Sequence, residues 1–347
     1  MKKVYVGMSG GVDSSVAALL LLEQGYDVVG VYMKNWSRDL LGMKCPWAED
    51  LADAKRVAVK LGIDFEVWDF ETEYREKVVE YMLREFRAGN TPNPDIMCNQ
   101  EIKFKLFYEK ARAAGADFIA TGHYARVGRK SQLLRAVDEN KDQTYFLYRI
   151  SEEALAHTIF PIGEMKKPEV KKLAQEKGLH NAYKKESMGM CFVGEVGMKD
   201  FLKEYIDVRP GEIREIESNK VLGYHEGAIF YTIGQRHGLY LDGEKGVVND
   251  GMPYYVVKKD IGQNIVYVSK NLNHEAIWIK ELKLKDVLMR QSAPSSVLAR
   301  LRHRAPLIPA RFDGEALFFE NEIKRPASGQ SAVLYDGEIC LGGGIII

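Results

Sequence analysis

Over roughly the first 125 residues, short β-branched runs at 4–8, 27–33, 64–68 and 118–121 alternate with longer stretches, 14–24, 49–61, 72–88 and 100–114. In the longer stretches apolar side chains recur at three- and four-residue intervals. The short runs predict buried strands and the long ones amphipathic helices. Gly25, Gly62, Gly89 and Gly115 each close a helical stretch, where a left-handed C-cap is wanted. Strands joined by helical crossovers predict an α/β domain built on a doubly wound parallel sheet. A helical period also runs through 152–178, with Lys166, Lys167, Lys171 and Lys172 read as its solvated face.

Beyond residue 207 the texture changes. Short alternating runs at 254–258, 265–269 and 333–337, separated by Gly, Asn and Asp turns, predict two smaller β-rich domains, the last a β-barrel. Asp336-Gly337 between two apolar runs predicts a type I′ hairpin. The expected division is 1–205 for the α/β domain, 206–270 for the central β-rich domain and 271–347 for the barrel. A chain of 347 residues can hold that many cores.

Charge adds a constraint: 49 basic and 49 acidic residues cancel, so a nucleic-acid partner would have to meet a local basic surface. Arg300, Arg302 and Arg304 offer one. On a strand their guanidiniums would share a face, with Arg311 nearby, suited to phosphates or simply to water. No apolar run nears the ~18 residues of a membrane span, and no basic, apolar leader opens the chain; both predict a cytoplasmic protein, and a monomer is expected. The four cysteines, Cys45, Cys98, Cys191 and Cys340, form no CxxC pair, so no zinc ribbon, other protein-held metal site or disulfide framework is expected.

The candidate chemistry begins where the first strand delivers the chain into Ser9-Gly10-Gly11-Val12-Asp13-Ser14-Ser15 and a helix starts at once. Backbone amides and the positive end of the helix dipole converge there on an anion. Glycines let the backbone approach a phosphate, and the serines add hydroxyl donors. A Walker A loop would require a lysine that is missing, and a Rossmann fingerprint a GxGxxG that is also missing. Gly7-Met8-Ser9-Gly10-Gly11 does satisfy the G-x-S-x-G nucleophile elbow, but only six residues precede it, too few for the strand and loop that complete an oxyanion hole. A nucleotide phosphate is the expected ligand.

Asn93-Pro94 predicts a rigid helix entry, Asn93 as N-cap and Pro94 at the first helical position. Cys98 then falls in the opening turns, where the dipole and the nearby Lys103 and Lys105 favour a thiolate, and Asp95 shares its face, placed for proton transfer. Cys191 lies in the small-residue run Ser187-Met188-Gly189-Met190-Cys191-Phe192-Val193-Gly194, suited to an accessible loop. By residue type alone, either cysteine is as readily an inert core thiol.

Ser9 to Ser14, Ser-Gly-Gly-Val-Asp-Ser, resembles the PP-loop of ATP pyrophosphatases, which split ATP between its α and β phosphates and activate an oxygen as an adenylate. Five further runs, Asn93-Pro94-Asp95-Ile96-Met97-Cys98-Asn99-Gln100-Glu101-Ile102-Lys103-Phe104-Lys105, Thr121-Gly122-His123-Tyr124, Asp142-Gln143-Thr144-Tyr145-Phe146-Leu147, Gly189-Met190-Cys191-Phe192-Val193-Gly194 and Leu341-Gly342-Gly343-Gly344-Ile345, resemble in order the signatures of bacterial tRNA-specific 2-thiouridylases. The resemblance implies that Gly7, Met8, Ser9, Gly10, Gly11, Val12, Asp13, Ser14, Met33 and Gly122 bind ATP, used with Mg2+. It implies that Asn93, Pro94 and Asp95 receive the target base. It further implies that Cys191 carries a persulfide and Cys98 closes on it as a disulfide. Implied tRNA contacts are His123, Lys141, Asp142, Gln143, Arg302, His303 and Gln330. Implied partners are the tRNAs for Lys, Glu and Gln and a cysteine desulfurase or sulfur-relay protein.

Overall fold

A computed structural model describes residues 1–39, 45–184, 197–239, 241 and 252–347. The α/β domain opens with β1 (Lys3–Gly7), α1 (Val12–Glu23), β2 (Asp27–Lys34), α2 (Trp47–Leu61) and β3 (Asp64–Asp69). Contiguous stretches Glu71–Tyr74, Arg75–Val79 and Glu80–Arg87 form one helix, α3, and Pro94–Met97, Cys98–Leu106 and Phe107–Ala113 form α4; each widens to π geometry in its middle stretch. Then come β4 (Phe118–Thr121), the small hairpin β5 (Arg126–Val127) and β6 (Leu133–Leu134), α5 (Thr144–Leu147), β7 (Thr158–Ile159), α6 (Lys167–Glu176) and α7 (Met198–Tyr205). The parallel sheet has the order β3-β2-β1-β4-β7.

Alternation along β1 explains its burial on two sides. Val4 and Val6 join a core with Val16, Leu21 and Val170, whereas Tyr5 joins the opposite core with Trp68, Val78 and Phe107. Both faces are covered, as the doubly wound expectation requires. The four cap glycines hold positive φ, between 67° and 85°.

The stretch 152–178 is a correction. It breaks into a short helix at Glu152–Ala156, then β7, then α6. Pro161 and Gly163 interrupt the period, and a Cβ at Gly163 would stand 1.8 Å from the Ala125 carbonyl oxygen. Lys167, read as solvated, is buried.

The central domain pairs β8 (Gly211–Glu215), β9 (Val221–His225), β10 (Tyr255–Asp260) and β11 (Ile265–Ser269) in the order β10-β11-β8-β9 around Ile213, Val256 and Val266. The last domain is a closed six-stranded barrel of β12 (Trp278–Met289), β13 (Ser296–Arg300), β14 (Ile308–Phe312), β15 (Ala316–Lys324), β16 (Ser331–Asp336) and β17 (Ile339–Ile346), closed by β12 against β17. Along β16, Ala332 and Leu334 fill the barrel while Val333 and Tyr335 pack into the α/β core. The β5–β6 hairpin of the first domain extends the barrel sheet beside β17.

Two local expectations give way. In the β16–β17 turn only Gly337 has positive φ, 54°, and Glu338 does not, so the turn lacks the two left-handed residues of type I′. The arginine stripe does not form. The strand ends at Arg300, Arg304 adopts φ 62° in the following turn, and Arg300 is buried against Asp142 at 2.6 Å.

Candidate active site

In the sheet order β1 is flanked by β2 and β4, so the carboxyl ends of β1 and β4 bound the crevice where an open α/β sheet places its ligand. The loop after β1 fills that position. Gly10 has φ 77°, and a Cβ there would lie 2.3 Å from the Asp50 carbonyl oxygen. Ser14 Oγ accepts from the Ser9 amide at 3.2 Å and donates to the Gly11 carbonyl at 3.1 Å; Ser15 Oγ donates to the same carbonyl at 2.9 Å. Gly11 is the N-cap of α1 and supplies no side-chain cap, which suits the first-turn amides to an incoming anion. Val12 and Met8 anchor the loop in the core, and Met33, half-buried at the end of β2, lies against Gly7.

Three side chains that sequence reasoning did not assign to the loop complete its frame. Lys167 Nζ contacts both Asp13 oxygens at 2.7 Å, and Tyr124 donates its hydroxyl to Asp13 at 3.0 Å. Asn181 donates to the Gly10 carbonyl and to Ser15 Oγ, each at 2.9 Å. Lys167 sat in a run of lysines with helical spacing, and nothing in that run distinguished the inward one.

Gly122, just after β4, packs on the loop: a Cβ would meet the Ser14 amide nitrogen at 2.5 Å. His123 follows, its Nδ1 2.7 Å from Thr121 Oγ1 and its ring 5.7 Å from that of Phe104 in α4. Burial first, then Lys103, pushes the His123 imidazole well below its ordinary range, so it works as a neutral ring. Thus β4 ties the phosphate loop to α4.

At the start of α4, Asn93 accepts from the Asp95 and Ile96 amides at 3.2 and 3.4 Å, with Pro94 in the first turn, as expected. Asp95 meets solvent, yet the protein surrounding it raises its carboxyl above the ordinary value, with Lys103 pulling the other way. Cys98 is buried one turn further on. Cys191 lies outside the described residues, so its placement relative to Cys98 is not part of this geometry.

The expected tRNA contacts divide. Lys141, Arg302 and His303 gather at the seam between α/β domain and barrel, where the His303 ring sits 4.5 Å from Phe146 and is pushed down to about 4 by burial, then by Arg304 and Arg300. Asp142 turns inward instead: its carboxylate takes Arg300 and the Thr144 hydroxyl, and it is 1% exposed. Gln143 uses its amide and Oε1 to clasp the Tyr124 backbone, both at 2.9 Å. Gln330 donates to the Thr91 carbonyl at 2.7 Å. Among the described residues no three His, Cys, Asp or Glu side chains gather to hold a metal, and no helix is long and apolar enough to cross a membrane.

A doubly wound sheet with a serine-glycine phosphate loop at its switch point and two β domains docked on it defines an enzyme of the PP-loop class. Residues 2–195 match the family described as tRNA methyl transferase HUP domain, 199–270 the tRNA methyl transferase PRC-barrel domain and 273–346 the aminomethyltransferase beta-barrel domain. The tRNA-specific 2-thiouridylase MnmA of Listeria monocytogenes serotype 4a is 47% identical over 357 aligned residues, covering 99% of this chain and 94% of that protein. The protein of the same name from Idiomarina loihiensis is 46% identical, covering 99% and 96%. A solved 4-thiouridine synthetase in complex with RNA and bound ATP superposes at a TM-score of 0.36, 20% identity, over 53% of this chain and 43% of that one. Although the family descriptions carry a methyltransferase name, the full-length relatives are thiouridylases. The chain belongs to the tRNA-specific 2-thiouridylases, which are sulfurtransferases acting on tRNA.

Proposed function

We propose that this thiouridylase uses ATP to replace O2 of the wobble uridine with sulfur in the tRNAs for Lys, Glu and Gln, working as a monomer in the cytoplasm. The observation that carries the reading is that Asp95 and Cys98 stand three residues apart in the opening turns of an Asn93-capped helix that β4, through Gly122 and His123, links to the phosphate loop. Phosphates of ATP rest on the loop from Gly7 to Ser14, with Gly122 and Met33 at its sides. Uridine O2 attacks the α phosphate, forming an adenylated oxygen and releasing pyrophosphate. Mg2+ would travel with the phosphates and neutralise them, since Asp13 is already engaged by Lys167 and Tyr124.

Sulfur arrives as a Cys191 persulfide, charged by a cysteine desulfurase or a relay protein. Its terminal sulfur attacks C2, directly or after release as hydrosulfide. In the direct path the Cys98 thiolate attacks the sulfur of Cys191, the S–S electron pair passes to the transferred sulfur, and AMP departs from C2. A Cys98–Cys191 disulfide remains, which a thiol reductant must reopen with two electrons. Asp95, with its raised proton affinity, handles the proton exchanged with the base. Asn93 and Pro94 shape the edge that receives the uracil. Lys141, Arg302 and His303 contact the tRNA, His303 as a neutral ring that stacks or hydrogen-bonds, with Gln143 and Gln330 at the margins.

The test is incorporation of labelled sulfide into unmodified tRNA with ATP, comparing wild type with Cys98→Ser and Cys191→Ser. Wild type should thiolate one uridine while both variants lose at least ~100-fold in rate. ATP consumption without sulfur in the tRNA would remove the substrate assignment, and active serine variants would remove the two-cysteine chemistry.

A further inference from the structure

The segment 89–92, which leads from α3 into α4, is gripped by both β domains. From the central domain, Lys259 in β10 donates Nζ to the Gly89 carbonyl at 2.6 Å, and Ile261 lies so close that a Cβ on Gly89 would meet it at 2.6 Å. From the barrel, the Ser328 carbonyl accepts the Thr91 amide at 2.7 Å. Gln330 donates to the carbonyls of Thr91 and Pro92 at 2.7 and 3.4 Å, and a Cβ on Gly329 would stand 3.0 Å from the Thr91 nitrogen. Lys285 in β12 reaches Glu85 in the last turn of α3 at 3.7 Å, and that carboxylate also accepts from the Asn90 side chain at 2.8 Å.

The residue after this grip is Asn93, the cap of the helix that carries Asp95 and Cys98. Carbonyls beyond a helix C-terminus ordinarily go to water or to a cap. Here a lysine from another domain takes one at 2.6 Å in a part-buried contact, and that burial pushes its ammonium down to about 8. With both flanks of a four-residue connector tied to separate domains, the start of α4 has little freedom of its own.

Building on the sulfur-transfer reading above, we propose that Lys259 and Gln330 are positioning residues: through 89–92 they set the entry of α4 and so the aim of Asp95 and Cys98, making turnover depend on the seating of both β domains.

Lys259→Met keeps the apolar stem and removes the donor, Lys259→Arg restores one, and Gln330→Leu removes the second grip. The readouts are kcat and KM for tRNA in thiolation, and the rate of Cys98 alkylation by iodoacetamide, followed on its peptide by mass spectrometry. Lys259→Met and Gln330→Leu should each lower kcat about ten-fold or more and shift the alkylation rate in the same direction; Lys259→Met should leave KM for tRNA within about two-fold, and Lys259→Arg should recover most of kcat. Unchanged kcat and alkylation would overturn the proposal. So would a loss confined to KM, which would make Gln330 a plain tRNA contact. If Lys259→Met folds poorly, Ile261→Ala loosens the packing on Gly89 without touching a charge and must reproduce the kcat and alkylation changes. Alkylation needs neither ATP nor tRNA, so it still tests the grip if wild type fails to thiolate.

Discussion

Asp95 shows how a single side chain carries opposing demands. Protein around it disfavours the carboxylate, and Lys103 only partly offsets this. A carboxyl raised in the folded state binds its proton more tightly there than in the unfolded chain. Its contribution is therefore full below the unfolded value of 3.8 and is lost as pH rises through the folded one. At neutral pH the ionised group opposes folding. Asp95→Asn should thus raise the unfolding midpoint at pH 7, with the gain closing as pH falls toward 3.8, while thiolation drops by ~100-fold or more. Thermal melts across pH and the sulfur-incorporation rate check the two halves, and a variant equally stable at every pH would contradict the burial argument. The Asn93 cap and the Pro94 start were legible in sequence because capping chemistry is local. The inward turn of Asp142 and the burial of Lys167 were not, because each partner, Arg300 and Asp13, is more than 150 positions away along the chain.

At the scale of elements, the site depends on how closely β4 meets the start of α1. Gly122 is where no side chain fits: a Cβ would stand 2.5 Å from one backbone atom of the loop and 2.7 Å from another. Backbone cannot swing aside as a flexible side chain can, so Gly122→Ala should push β4 and the phosphate loop apart. The expected result is a KM for ATP raised about ten-fold or more, with smaller losses in global stability. Pyrophosphate release measured against ATP concentration tests it, and an unchanged KM would show that the loop tolerates the shift. The helical and strand periods of this region were readable because burial on both faces of a parallel sheet imposes them. The 152–178 stretch misled because the apolar spacing on either side of Pro161 and Gly163 is helical, while between the two helices the chain makes the short β7 and then breaks at those residues.

For the molecule as a whole, the barrel joins the α/β domain through a buried polar seam rather than a flexible tether. Arg300 meets Asp142, Tyr335 meets Thr144 at 3.1 Å, and Tyr145 and Tyr148 meet Ser331 at 3.0 Å each. Removing one partner of a buried ion pair leaves an uncompensated charge. Arg300→Met should cost ~3–5 kcal/mol, and pairing it with Asp142→Leu should recover part of that. Urea unfolding of the single and double variants measures the coupling, and additive losses would show that the pair is not coupled.

The sequence by itself determined the class of fold, the phosphate loop and the order of the three units, because local periodicity, glycine placement and capping are properties of neighbours in the chain. Only the tertiary structure decided which charges face inward, that Lys167 and Asn181 frame the loop, and that two separate domains hold the entry to α4. Those outcomes rest on contacts between residues far apart in sequence, and a one-dimensional pattern carries no distance between them.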